Sequence, residues 1–352
     1  MQARPSFQSR FGITFVIITT YYWIRRDMNQ KVQCELCPKG CVIGPGQSGD
    51  CRVRINIDGV LRTVVYGYPC SIHIDPIEKK PLFHFLPGTP ILSLATIGCN
   101  LHCLNCQNWE ISQLNPEQSE AMSAPPEMIV EATKRNGCPS IAYTYTDPIA
   151  YYEYAYDTSR LEKQAGLRNV LVTAGYCNPA PWRRLLEVTD AARIDLKGMS
   201  DDFYRRFCSG TVGPVQQCLI DAVAAGVHVE VINLIIPTLN DSPDDIRRLA
   251  RWVNNNLGSD IPLHFSRFFP QYKMQHLPPT PLETLDTARQ IALEEGLYYV
   301  YIGNIRSREG ENTYCPGCHK LLIERQAYVV LQNVLKDGCC PGCGKKIYGV
   351  WQ

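Results

Sequence analysis

From residue 91 onward the apolar positions fall into short β-branched or aromatic runs, separated by longer stretches in which they recur at helical spacing. The runs predict strands over 91–98, 140–146, 169–175, 191–197, 228–237, 262–269 and 298–305, with helices over 126–135, 149–164, 243–255 and 281–295. Start signals agree with the pattern: Ser242-Pro243-Asp244-Asp245 offers an N-cap, a proline at the first helical position and two acids facing the macrodipole. Strands regularly separated by helices predict an α/β fold with a parallel sheet, wound as a full or partial TIM-type βα barrel. In such a fold the chemistry collects at the C-terminal ends of the strands.

The flanks differ. Residues 31–75 are rich in Cys, Gly and turn residues and predict a hairpin at Asn56-Ile57-Asp58-Gly59. Residues 311–352 contain an echo, Cys-Pro-Gly-Cys-His-Lys at 315–320 returning as Cys-Pro-Gly-Cys-Gly-Lys at 340–345. The expected division is a tail over 1–30, a Cys-rich metal-binding region over 31–75, a barrel over 76–310 and a zinc-ribbon or rubredoxin-like module over 311–352.

Composition sharpens this picture at one point. The 352 residues, 45% hydrophobic, suffice for one sizeable core with small appendages, and a formal net charge of +1 gives no global field for nucleic acid or an anionic membrane. Neither partner is indicated. Cysteine, with 17 residues, is the outlier. Disulfide frameworks belong to short secreted chains, whereas most of these cysteines fall into three tight groups that suit thiolates converging on metal centres. Cys70, Cys138, Cys177, Cys208, Cys218 and Cys339 remain as buried apolar residues or bystanders.

The central group, Cys99, Cys103 and Cys106, has the spacing C-x3-C-x2-C directly after the strand predicted over 91–98. Three thiolates on a short loop can hold three corners of a cubane cluster, where electron-transfer clusters normally take four. The missing ligand leaves one iron open. A zinc site completed by a distant histidine such as His102 is the other reading.

The spacing and position resemble the radical S-adenosylmethionine (SAM) superfamily. The segments Asp75-Pro76-Ile77-Glu78-Lys79-Lys80-Pro81-Leu82, Cys106-Gln107-Asn108-Trp109-Glu110-Ile111-Ser112, Asp195-Leu196-Lys197-Gly198 and Tyr301-Ile302-Gly303-Asn304 resemble the radical SAM member of the AmmeMemoRadiSam system. That family is related to the pyruvate formate-lyase activating enzymes. The resemblance implies a [4Fe–4S] cluster whose open iron is chelated by SAM, and a reductant such as flavodoxin or ferredoxin. It also implies cleavage of SAM to methionine and a 5′-deoxyadenosyl radical, which abstracts hydrogen from a substrate, and association with the partner proteins of that system. The superfamily has an aromatic before the last cysteine where Asn105 stands here, so adenine contact passes to Trp109 or a backbone group. Asp147 occupies the place of a SAM-binding motif that more often carries Glu; with Thr146 it faces the SAM ammonium, or it caps the following helix, or both. Asp195 and Lys197 share one strand face and reach the SAM carboxylate or ribose, or form a buried ion pair. Glu230, Asn233, His264, Arg267 and Asn304 are further cavity candidates without roles.

Cys34, Cys37, Cys41 and Cys51 fit a structural zinc or a second Fe–S cluster; spacing alone does not decide. Cys315, Cys318, Cys340 and Cys343 fit a closed tetrahedral zinc or iron site, with Cys340 preferred to Cys339 because it repeats the first knuckle. The apolar run over 11–24 is shorter than the roughly 20 residues of a membrane span and lacks a leader's cleavage site. The expected reading is a start assigned too early, ahead of Met28, because oxygen-sensitive clusters belong in a reducing cytoplasm. Activation of a glycyl-radical protein is the alternative enzyme function. A zinc-dependent module binding nucleic acid or protein is the alternative of another class.

Overall fold

A computed structural model describes residues 6–8, 14–26, 29–118, 120–307 and 309–352. Its centre is one eight-stranded sheet in which each strand lies beside its sequence neighbour. The strands are β1 (Ser71–Pro76), β2 (Pro90–Ala95), β3 (Ser140–Tyr143), β4 (Arg168–Thr173), β5 (Ala191–Asp195), β6 (His228–Ile235), β7 (Leu263–Arg267) and β8 (Val300–Gly303). From β2 to β8 all pairs are parallel, and β1 runs antiparallel along the edge of β2. β1 and β8 are not paired to each other, so the sheet is an incompletely closed barrel. The seven parallel strands are those expected from the hydrophobic runs. The edge strand β1 is an addition: its sequence, Ser-Ile-His-Ile-Asp-Pro, is half polar and carries no continuous apolar run.

Helices connect the parallel strands: α1 (Pro126–Arg135), α2 (Tyr152–Gln164), α3 (Pro179–Leu186), α4 (Asp201–Phe207), α5 (Val212–Ala224), α6 (Pro243–Leu257) and α7 (Leu282–Glu294). The start of α6 follows its sequence signal, with Ser242 accepting from the Asp245 N–H at 3.1 Å. α2 begins later than expected, because the Asp147 carbonyl and carboxylate first take up the Ala150 and Ile149 N–H groups in a separate turn. No helix among the described residues is long and apolar enough to cross a membrane.

The N-terminal Cys-rich region forms two small antiparallel sheets. The expected hairpin is present, with Ile57 opposite Val60 and both Asp58 and Gly59 at positive φ, as a two-residue turn requires. The described part of the 1–30 stretch packs rather than trails: Ile18–Thr19 pairs with Val60–Thr63, and Trp23–Arg25 with Val32–Cys34. Met28 lies outside the described residues. A buried ion pair ties this layer to the barrel: Arg54 Nη2 donates to Glu153 Oε2 at 2.6 Å, while Glu153 Oε1 accepts from the Tyr21 N–H at 3.0 Å.

The C-terminal module is a three-stranded sheet that shares a core with the barrel rather than standing apart, since Leu322, Ile323 and Ile347 pack with Phe83, Tyr299 and Tyr301. A directed hydrogen-bond chain crosses the junction. Arg325 donates to Thr313, Thr313 to Tyr301 and Tyr301 to His84 Nε2, while His84 Nδ1 donates to the Tyr348 carbonyl at 2.6 Å. Only the Nδ1–H tautomer of neutral His84 satisfies both neighbours.

Removing one partner of a buried ion pair strands the other charge in a poor solvent. Glu153→Ala is therefore expected to cost about 3–5 kcal/mol in denaturant unfolding, more than a paired apolar replacement of Arg54 and Glu153 together. An effect under about 1 kcal/mol, as for exposed pairs, would contradict the buried geometry.

Candidate active site

The C-terminal ends of the parallel strands enclose a cavity of about 720 Å³. Cys99, Cys103 and Cys106 all face it, from the loop that follows β2. That loop starts at Gly98, whose φ of +87° suits glycine and whose missing Cβ would stand 2.6 Å from Val53 and 2.8 Å from the Cys51 carbonyl. Its backbone is held on several sides: Gly98 N–H donates to Ile111 O, His102 N–H to Cys208 O, and Leu104 N–H to Phe207 O. Lys273 N–H in turn donates to Leu104 O.

The three sulfurs sit among donors. Leu101 N–H points at Cys99 Sγ at 3.4 Å, Asn108 N–H at Cys106, and the Cys208 thiol at Cys103. Burial pushes Cys99 and Cys106 up. The Cys208 thiol, helped by the Lys197 charge and opposed by burial, brings Cys103 down to about 6. Cys208 was a bystander in sequence, because α4 returns it to the loop from a place no local spacing could indicate.

Among the described residues, only Cys315, Cys318, Cys340 and Cys343 bring three or more ligand atoms within 4.8 Å of one another. The trio is more open than a single ion requires. A cubane holds its thiolates farther apart, because each binds a different iron, so the set of three thiols suits a cluster. His102 is not spare for zinc: its ring nitrogens meet Gln113 Oε1 at 2.8 Å and Asp50 Oδ2 at 3.0 Å.

Thr146, Asp147, Asp195 and Lys197 also line the cavity, as does Asn105. Asp147 accepts from Ile149 N–H, Ala174 N–H and Thr173 Oγ1, so most of its capacity goes to capping and to tying β4 to the turn after β3. Thr146 Oγ1 donates to Thr96 O. Asp195 pairs with Lys197 at 2.8 Å and with Arg193, which the period of two places on the same strand face. Burial works against the Lys197 ammonium, but negative charge at Cys103 outweighs it and the pKa is raised. Arg193 and Lys80 are cavity residues the sequence reading passed over; burial, against the pull of Asp75, brings Lys80 down to about 8.

Trp109 is placed elsewhere. It does not line the cavity, and its ring stacks on Tyr272 at 5.3 Å, 11° from parallel. Glu230 is likewise spent, accepting from Phe83 N–H, His84 N–H, His228 Nε2 and His264 Nε2. Arg267 binds the Thr280 carbonyl and covers Phe269, and Asn233 donates to Leu196 O. His264 and Asn304 do reach the cavity.

With this geometry in place, the profile of the Radical SAM superfamily matches residues 94–253. The chain carries a radical SAM domain. It is an enzyme of the radical SAM class, and the family implies a [4Fe–4S] cluster and SAM; the non-catalytic reading falls. An uncharacterized protein of Methanocaldococcus jannaschii is 49% identical over 91% of this chain and 96% of its own length. A pyruvate formate-lyase-activating enzyme of Clostridium pasteurianum is 26% identical over 45% of this chain and 67% of its own. Among solved structures, a radical SAM methyltransferase from Sphaerobacter thermophilus aligns with a TM-score of 0.49 at 13% identity, over 84% of this chain and 78% of that one.

The buried His84 and Glu230 set an acid limit. Burial holds His84 down at about 3, and Glu230 stands well below its ordinary value because its two histidine partners outweigh its burial. As pH falls below about 6.5 the unfolded chain binds a proton at His84 that the native state refuses, and Glu230 adds to this below about 4.3. Stability is expected to fall with acid from pH 6.5 by roughly 1.4 kcal/mol per unit from His84, and His84→Gln to flatten that slope. A flat profile of unfolding midpoints between pH 7 and 5 in the unsubstituted protein would contradict this.

Proposed function

We propose that Cys99, Cys103 and Cys106 hold a [4Fe–4S] cluster with one open iron, which SAM chelates. The observation that carries this reading is three thiols, and not four, facing one large cavity at the strand ends. When bound and reduced, by flavodoxin or ferredoxin, this pair supplies a 5′-deoxyadenosyl radical and methionine, and the radical takes hydrogen from a substrate. Lys197 and Arg193 attract the SAM carboxylate, Asp195 holds both cations in place and reaches the ribose, and Asp147 with Thr146 forms the wall that meets the ammonium. Adenine lies against the backbone of the cysteine loop instead of Trp109.

The segments quoted above support membership of the AmmeMemoRadiSam system, whose other proteins are then partners. Likeness to a pyruvate formate-lyase-activating enzyme supports a second reading, in which the substrate is a glycyl-radical protein; its mark is a glycyl doublet in the EPR spectrum of a candidate partner. At the C-terminal module we assign zinc. Sulfur pairs there stand 3.5 and 3.6 Å apart, close to the edge of about 3.8 Å that Zn–S bonds of 2.3 Å give in a tetrahedron. A reducing cytoplasm is the location this reading implies, because such clusters are sensitive to oxygen.

Anaerobic reconstitution followed by dithionite and SAM is expected to release 5′-deoxyadenosine, and Cys103→Ala to abolish it. Lys197→Met is expected to weaken SAM binding about tenfold, the loss of one charge-assisted contact. Iron-loaded protein that releases no 5′-deoxyadenosine would overturn the reading.

A further inference from the structure

The N-terminal cysteines are arranged unlike those of the C-terminal module. Cys34, Cys37, Cys41 and Cys51 together wall one small void, with Leu36, Ile43, Arg54 and Asn100 completing it. Yet these four sulfurs do not gather within 4.8 Å, as the C-terminal four do. A lone zinc ion draws its thiolates into contact with one another. Here they surround a space instead of meeting at one point.

Each of the four sulfurs is met by a backbone N–H: Leu36 at Cys34, Lys39 at Cys37, Asp50 at Cys41 and Val53 at Cys51. Such donors stabilise the negative charge of metal-bound thiolates, as they also do at Cys315 and Cys340 in the C-terminal module. On the void wall, the Nε and Nη1 donors of Arg54, which is 1% exposed, also lack partners among the described residues. A guanidinium with spare donors beside thiolates is matched to an anionic centre.

The void lies back to back with the active site. Cys99 and Leu101 face the large cavity, while Asn100 between them faces the void. The two loops are joined by His102 to Asp50 at 3.0 Å, and by the Cys51 carbonyl packed against Gly98.

We infer that Cys34, Cys37, Cys41 and Cys51 hold a second [4Fe–4S] cluster, one loop's thickness from the first. With a thiolate on every iron it is closed to SAM and to substrate. It shares a wall with the SAM-binding cluster and is the nearer of the two to the N-terminal layer.

Iron, sulfide and zinc analysis with Mössbauer spectroscopy of the full chain, reconstituted anaerobically, tests this. Wild type is expected to carry about eight irons and eight sulfides, and the Cys99→Ala/Cys103→Ala/Cys106→Ala variant about four of each. The remaining reduced signal should not change when SAM is added, and adding Cys37→Ser/Cys41→Ser should remove it. A triple variant that is iron-free and carries two zinc ions would overturn the inference. If the triple variant does not fold, Cys37→Ser/Cys41→Ser in the otherwise unsubstituted chain decides, expected to lose about four irons relative to wild type, an unchanged iron count contradicting the second cluster. The inference does not depend on the proposed SAM chemistry: failure there removes the iron of the trio, while failure here removes only the iron that outlasts it.

Discussion

Everything at the active site depends on one turn. At Gly98 the chain leaves β2 with φ +87° and passes so close to Val53 and the Cys51 carbonyl that no Cβ fits. The turn fixes the cysteine loop between two layers, with the barrel cavity on one side and the N-terminal region on the other. From it follow the inward direction of Cys99, the outward direction of Asn100, and the bonds that pin His102 and Leu104 to the end of α4. A loop so restrained can present three thiols to a cluster while keeping the fourth corner free.

The charges around the cavity follow a related constraint. Parallel strands end in a ring where every other residue faces inward, so Arg193 and Asp195 share one face of β5, and Lys197, just past the strand end, joins them through its ion pair with Asp195. Beneath them, Glu230 binds two histidines and two backbone N–H groups and closes the floor. The chain from Arg325 through His84 then bolts the C-terminal module to that floor. The module is thus a buttress of the barrel.

Much of this was legible in the sequence because its signals are local. Continuous apolar runs marked the seven parallel strands, Asp58-Gly59 marked the hairpin, and cysteine spacing marked three groups. What escaped was set by tertiary contact. β1 is a half-polar edge strand that owes its form to pairing with β2. Cys208 meets Cys103 only because α4 folds back. Trp109, beside the motif in sequence, points away because Tyr272 offers it a stacking partner. Asp147 reads equally as ligand or cap until the positions of Ile149, Thr173 and Ala174 are known.

The central claim is that SAM binds the open iron of the cluster at Cys99, Cys103 and Cys106. Electron–nuclear double resonance on the reduced protein, with SAM labelled at its amino nitrogen and carboxylate oxygens, tests it most directly. The account expects hyperfine coupling from both labels to the cluster spin, lost in Cys106→Ala. A reduced cluster at the intact trio that shows neither coupling, with SAM at saturating concentration, would contradict it.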